Sequence, residues 1–288
     1  MNVEGNTSIV TGGASGIGAA MAHDLVKRGA KVIIADYDGE GAQTLATSLG
    51  GDCVAIQFDA ADVASVEALA EQVWQDHGGV DHVFANAGVS AGSPLLHATS
   101  EAFDWQFAVN VRGVWATAKS FIGRMIDEGR VGQFTITASE HALGLQHLGV
   151  GVYTSTKHAV LGLAEVLRGE TPDTVGISVF CPGLVATRLH DASRFGVVPD
   201  APPQMKALGA AVMSKGMSAA EVARHAVDGA QRGDFYIVTH PTAFAAARKR
   251  FEELEMAFDT QAPMTEEAAQ YDVQTVIASV LSKIGEKS

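Results

Sequence analysis

Seven short runs rich in β-branched and aromatic residues, each followed by a segment of helical period, constrain this chain more than any other feature. They are TSIVT at 7 to 11, KVIIAD at 31 to 36, CVAIQFD at 53 to 59, HVFANAG at 82 to 88, QFTITAS at 133 to 139, GISVFCPG at 176 to 183 and FYIVTH at 235 to 240. Between them apolar residues recur with helical spacing, as in Ala19 to Arg28 and Val63 to His77. The runs themselves are continuously apolar instead of alternating, as strands buried on both faces are. The pattern predicts an α/β, Rossmann-type doubly wound fold, with a seven-stranded, mostly parallel sheet and helices on both faces.

No internal repeat, charge block or Gly/Ser linker interrupts the first 183 residues, and one domain is expected over 1 to 288. Residues 184 to 217 are less regular. Pro199, Pro202 and Pro203 mix there with Leu184, Leu189, Phe195, Val197, Met205 and Met213, which reads as an apolar flap. Ser218 and Glu221 form an S-x-x-E capping box opening a helix to about Arg232. Helical patterns at about 243 to 258 and 264 to 284 predict a C-terminal extension over 241 to 288.

Composition excludes several classes of partner. Of 288 residues, 20 are Lys or Arg and 33 are Asp or Glu, a formal net charge of −13, and no basic cluster could neutralise a run of phosphates. Nucleic acid is not an expected partner. No stretch has the roughly 18 consecutive apolar residues that a membrane span needs, and the N-terminus lacks a basic region before its apolar run. Residence in the cytoplasm is expected, without a membrane. Cys53 and Cys181 both lie in predicted strands and read as buried thiols, with no metal site.

TGGASGIG at 11 to 18 stands directly after the first strand and before the first helix, where backbone amides and the helix dipole favour an anion. Gly12 and Gly16 would permit backbone forms closed to other residues, Gly18 would let the helix pack on the sheet, and Ser15 and Ile17 complete the turn. A glycine turn used only for geometry is the alternative. Asp36, ending the second strand 24 residues after Gly12, supports the nucleotide reading, since its carboxylate can accept from adenosine ribose hydroxyls; an ordinary turn carboxylate is its alternative. It would also repel a 2′-phosphate, and neither Ser15 nor Tyr37 offers a compensating cation, so NAD is favoured over NADP. Asp59 and Ala60, and then Asn86, Ala87 and Gly88, close the next strands on the same side of the sheet. They are expected to border the adenine, ribose and pyrophosphate.

YTSTK places Tyr153 and Lys157 one helical turn apart, so the phenol and the ammonium share a face. Half-ionising a phenol near neutrality takes about three pKa units, roughly 4 kcal/mol. One cation at ~5 Å supplies roughly 3 kcal/mol at an effective dielectric of ~20, and an oxidised nicotinamide would add a second. Ser139, ending the fifth strand, could hold a substrate oxygen while Tyr153 exchanges its proton. An ordinary amphipathic helix face is the competing reading.

These motifs, with Asn110 in VNVRG and CPG at 181 to 183, stand in the order of the short-chain dehydrogenase/reductase family, which the chain resembles over about residues 5 to 240. The resemblance implies that Tyr153 is the acid/base, that Lys157 binds the nicotinamide ribose and lowers the tyrosine pKa, that Ser139 positions substrate, and that Asn110 holds a relay water. It further implies nicotinamide contacts from Pro182, Gly183, Val185 and Thr187, and a homotetramer or dimer built on the helices carrying Asn110 and Tyr153. The chain departs from the family by placing Glu140 and His141 after the serine, where small residues are usual.

His141, Leu145, His147, Leu184 and Leu189 are expected on the substrate side, with Leu95, Leu143 and Leu148 nearby. The expectation is an NAD-dependent enzyme acting on a hydrophobic, aromatic or alicyclic, secondary alcohol or ketone. The tail around FEELEMAFDTQAP also resembles that of bacterial dehydrogenases of benzylic alcohols in lignin-derived aryl ethers. Alternatives are a catalytically silent, NAD-binding redox sensor and a nucleotide-sugar epimerase relative. The latter usually spaces its glycines as G-x-x-G-x-x-G.

Overall fold

The computed structural model describes residues 2–144 and 147–285. Its strands are β1 (Thr7–Thr11), β2 (Lys31–Asp36), β3 (Cys53–Gln57), β4 (His82–Ala85), β5 (Gly132–Thr137), β6 (Val175–Cys181) and β7 (Tyr236–Val238). All pair in parallel, in the order β3-β2-β1-β4-β5-β6-β7. The order reverses direction between β1 and β4, which opens a crevice at the strand C-termini, where ligands bind in such sheets.

Successive strand residues face opposite cores. Ile9, Ile33, Val83 and Phe134 pack on one side with Val66 of helix α3 (Val63–His77), Phe121 of α5 (Gly113–Asp127) and Val160 of α7 (Gly151–Glu170). Val10, Ile34, Phe84 and Phe180 pack on the other with Met21 of α1 (Gly16–Lys27), Ala42 of α2 (Gly39–Leu49) and Val222 of α9 (Ala219–Arg232). Burying both faces explains why the strands read as unbroken apolar runs. Capping fixes where several helices begin: Asp38 accepts from Gly41 N, Asp62 from Ala64 N, and Ser218 from Glu221 N at 3.2 Å.

Several strands end sooner than their apolar runs. Pairing stops at Gln57, Ala85, Thr137, Cys181 and Val238, so Asp59, Asn86, Ser139, Gly183 and His240 lie just beyond the ladder. Those residues leave the sheet where its C-terminal edge meets the crevice. Residues 184 to 217 hold a 3₁₀ turn at Ala192–Phe195 and helix α8 (Pro203–Met213). Helix α4 (Ser100–Phe107) runs through a π-helical turn at Ala108–Arg112 into α5.

Two compact units divide the chain, Met1–Ala243 and Phe244–Ser288. In the second, the helical pattern expected over 264 to 284 is broken into α11 (Glu266–Ala269) and α12 (Val273–Gly285), which follow α10 (Ala243–Gln261). Asp272 makes the break. Its carboxylate accepts from Thr275 N at 2.8 Å and from Thr275 Oγ1 at 2.9 Å, a helix N-cap. Among the described residues, no helix is long and apolar enough to cross a membrane.

Candidate active site

One cleft at the C-terminal edge of the sheet is lined by the glycine turn, the β2 and β4 ends, Ser139, Tyr153, Lys157 and part of the flap. At its nucleotide end Gly12 and Gly16 have φ of 64° and 56°, which residues with a Cβ rarely adopt. Gly18 does not line the cleft. A Cβ on it would collide with the Gly12 carbonyl, so its role is the close packing of α1 on the turn. Ser15, Ile17, Tyr37, Asp59, Ala60, Ala87 and Gly88 all line the cleft.

Asp36 also lines it, but its carboxylate already works within the protein: Oδ2 accepts from Ala14 N and Oδ1 from Asp38 N, each at 2.9 Å. It thereby ties β2 to the glycine turn. Asn86 performs a similar function between strands, donating from Nδ2 to the Thr11 carbonyl at 3.1 Å and accepting from Thr137 Oγ1 at 3.3 Å.

At the chemical end, Ser139 caps the short helix α6 (Glu140–Leu143), and its Oγ donates to the Pro182 carbonyl at 3.4 Å. Tyr153 and Lys157 are both buried, as their place on the inward face of α7 requires. Lys157 Nζ donates to the Thr137 carbonyl at 2.8 Å. Burial pulls the Lys157 pKa down to about 8. For Tyr153 the direction is opposite to the expected one. Burial pushes its phenol up to about 12, the charge of Glu140 adds to that, and hydrogen bonding with Ser139 works against it. With its pKa raised, the Tyr153 side chain is a protonated phenol at neutral pH.

Asn110 lies outside the cleft lining and is fully buried in the π-helical turn. Its side chain bonds within the protein: Nδ2 donates to the Val89 carbonyl at 2.9 Å and Thr156 Oγ1 at 3.0 Å, and Oδ1 accepts from Val89 N at 2.8 Å. The side chain holds the β4 loop onto α7. A π turn breaks the regular carbonyl ladder, a common device at functional sites.

The substrate-side residues divide. Leu189 lines the cleft with Pro182, Gly183, Val185 and Thr187, whereas His141, His147 and Leu184 do not, and Leu145 lies outside the described residues. Leu148 is fully exposed. His141 is buried behind Tyr153, its ring 5.3 Å from the phenol ring in an edge-on arrangement. Thr154 Oγ1 gives its proton to the Val150 carbonyl, so the 2.8 Å contact with His141 Nδ1 is donated by the imidazole. Burial, and then the neighbouring His147, Lys157 and His158 charges, lower the His141 pKa to about 4. His147 Nε2 stands 3.6 Å from the buried Glu140 carboxylate.

Residues that sequence reasoning did not single out come from α4, from segment 184 to 217 and from the end of β7, while Phe195 and Met213 belong to the expected flap. Trp105, Arg188, Arg194, Phe195 and Met213 line the cleft. His240, just past β7, grips the start of the flap: Gly183 N donates to Nδ1 and Nε2 donates to the Leu184 carbonyl, both at 3.0 Å. A Cβ on Gly183 would meet the His240 ring at 2.5 Å and Glu140 Oε2 at 2.6 Å. The one available signal was position: His240 ends a predicted strand on the edge where the other site residues sit.

A family model described as short chain dehydrogenase matches residues 6–195. The chain belongs to the short chain dehydrogenase family. Within it, the chain is 36% identical over 193 residues to 1-deoxy-11-beta-hydroxypentalenate dehydrogenase of Streptomyces avermitilis, covering 65% of this chain and 71% of that one. It is 35% identical over 189 residues to 2,5-dichloro-2,5-cyclohexadiene-1,4-diol dehydrogenase of Sphingobium indicum, covering 65% and 75%. Among solved structures, a short chain dehydrogenase/reductase from Burkholderia phymatum in complex with NAD superposes with a TM-score of 0.84 at 29% identity, covering 92% of this chain and 99% of that one. The apo form of LigO from Sphingobium sp. strain SYK-6 follows the fold with a TM-score of 0.78 at 28% identity, covering 96% and 98%. Like its named relatives, this short chain dehydrogenase is an oxidoreductase of the alcohol dehydrogenase type.

Proposed function

We propose that this short chain dehydrogenase interconverts a hydrophobic, alicyclic or aromatic, secondary alcohol and its ketone with NAD, using Tyr153 as the acid/base. The observation that carries the reading is the shared cleft: Ser139, Tyr153 and Lys157 line the same cavity as the glycine turn and Asp36. The residues fit a dinucleotide. The Gly12 and Gly16 turn lines the cavity and leads into the N-terminus of α1, the helix end that favours an anion, and Asp36 closes β2 beside it. The NAD complex of the Burkholderia phymatum relative supports NAD here.

Bound NAD supplies the hydride acceptor for the carbinol carbon. The chain's own residues do the rest. Ser139 Oγ orients the substrate oxygen, and the Tyr153 hydroxyl takes its proton in oxidation or returns it in reduction. Lys157, anchored on the Thr137 carbonyl, holds a cation beside the phenol and is the residue to bind the nicotinamide ribose. Pro182, Gly183, Val185 and Thr187 border the nicotinamide half. Val109, Leu189, Val197 and Met213 give the cleft an apolar wall, which suits a hydrophobic substrate. The names of the pentalenate and cyclohexadienediol relatives support an alicyclic one.

Residues 184 to 217 act in this reading as the substrate flap. Exposed Trp115 on α5 and Val166 on α7 support a homotetramer or dimer, and the cytoplasm is the expected site of action. The test is a screen of alicyclic, benzylic and steroid alcohols and ketones, read by NADH fluorescence with NAD and NADP in parallel. No substrate-dependent signal with either nucleotide, from protein that binds NADH, would sink the proposal.

A further inference from the structure

The flap meets the nucleotide end of the cleft as well as the substrate end. Phe195 stands between Tyr37, which follows Asp36, and Trp105 of α4, with ring centroids 6.3 Å and 5.7 Å away. Arg194 lies on the face of Phe195, its guanidinium carbon 4.4 Å from the ring centre, and lines the same cleft as Asp36 and Ser15. Its Nη1 is committed to the carbonyls of Arg188 and Asp191. Nη2 and Nε have no hydrogen-bond partner among the described residues, and Arg194 makes no ion pair with a described carboxylate.

This cation is short of negative charge. Burial and the neighbouring Arg188 hold the Arg194 pKa below its ordinary value, with Asp191 and Asp36 pulling the other way. Arg188 lines the cleft beside it. In a chain of net charge −13, two arginines placed together over a cleft point to an anion held there.

We propose that Arg194 binds a phosphate group of the dinucleotide from the open side of the cleft, so that the flap closes on the cofactor as well as on the substrate. This rests on the dinucleotide reading above. Two phosphates could serve, the pyrophosphate common to both nucleotides and the 2′-phosphate of NADP, which Asp36 by itself would repel. A guanidinium has the planar donor fork for either.

The experiment is equilibrium binding of NADH and NADPH, followed by their fluorescence, to wild type, Arg194→Gln and Arg194→Lys. The hydrogen bonds of Arg194 run to carbonyls of its own loop, so the melting temperature of Arg194→Gln should stay within a few degrees of wild type, and the binding change then reports on the nucleotide. We expect Arg194→Gln to raise Kd at least about tenfold, the usual worth of one charge-assisted hydrogen bond. Arg194→Lys should recover part of the loss. Equal losses for the two nucleotides assign the pyrophosphate, and a loss confined to NADPH assigns the 2′-phosphate. Saturating NADH should also slow chymotrypsin cleavage in the flap of wild type but not of Arg194→Gln. Unchanged Kd for both nucleotides in Arg194→Gln overturns the inference. Wild-type protein that binds neither nucleotide overturns the dinucleotide reading instead.

Discussion

Lys157 Nζ lies 5.4 Å from the centre of the Tyr153 ring, with both side chains buried and with the ammonium anchored to the Thr137 carbonyl. At that separation the cation is worth roughly 3 kcal/mol to a phenolate at an effective dielectric of ~20. In the protein alone, burial, with the charge of Glu140 adding to it, pushes the Tyr153 pKa up to about 12. A phenol raised to about 12 stays protonated near neutrality, and in the proposed reaction the positive charge of an oxidised nicotinamide would favour its ionisation.

Tyr153→Phe removes the proton carrier and leaves the ring in place. Turnover of whichever alcohol the screen identifies should fall by at least about a thousandfold, within the range for loss of a general acid/base. NADH affinity should stay within about twofold. A variant that kept a tenth of wild-type kcat would exclude Tyr153 as the acid/base.

Lys157→Met should abolish turnover while stabilising the protein. The unfolded chain keeps the Lys157 proton up to its ordinary value of 10.5, whereas the folded protein releases it near 8. Between those pH values the unfolded state binds more protons, so wild-type stability rises with pH. The opposing effect of Tyr153 begins only above pH 10, where the unfolded phenol ionises before the folded one at about 12. At pH 7, removing the buried charge at the cost of one hydrogen bond should raise stability by about 1–2 kcal/mol, or roughly 2–8 °C in Tm. Thermal melts of the nucleotide-free protein at pH 7 and 9.5 check both signs, and the variant should lose the gain between them.

His240→Ala frees both ends of the Gly183–Leu184 peptide from the imidazole. Two hydrogen bonds of about 1 kcal/mol each predict a roughly tenfold to thirtyfold loss in kcat/KM, carried by KM because the flap is loosened while Tyr153 is untouched. His240→Asn, which can still accept from Gly183 N, should recover part of it. Steady-state kinetics separate the two parameters, and a loss confined to kcat would contradict the clamp.

Two glycines in helices should respond oppositely to alanine. Gly18→Ala drives a methyl group into the Gly12 carbonyl and should cost more than about 2 kcal/mol together with nucleotide binding. Gly162→Ala, in α7 with nothing within 4 Å of the added carbon, should stabilise by about 0.5–1 kcal/mol. Chemical denaturation of both variants, with NADH titration of the first, provides the comparison.

The parts of this protein legible in its sequence are those set by local rules. Buried strands declare themselves through unbroken apolar runs, and the glycine turn through residues that must take positive φ, as Gly12 and Gly16 do. A helical i to i+4 spacing was enough to bring Tyr153 and Lys157 to one face, and strand ends were enough to place Asp36, Asn86 and Ser139 at one edge of the sheet. What depends on contacts between distant segments was not legible. Partners 57 residues apart hold Gly183 to His240, and only the folded flap brings Arg194 and Phe195 to the nucleotide end. The same holds for charge. Sequence spacing put a cation beside a phenol, but the degree of burial set the direction of the Tyr153 pKa, because desolvation is a property of the packed interior and of no single motif.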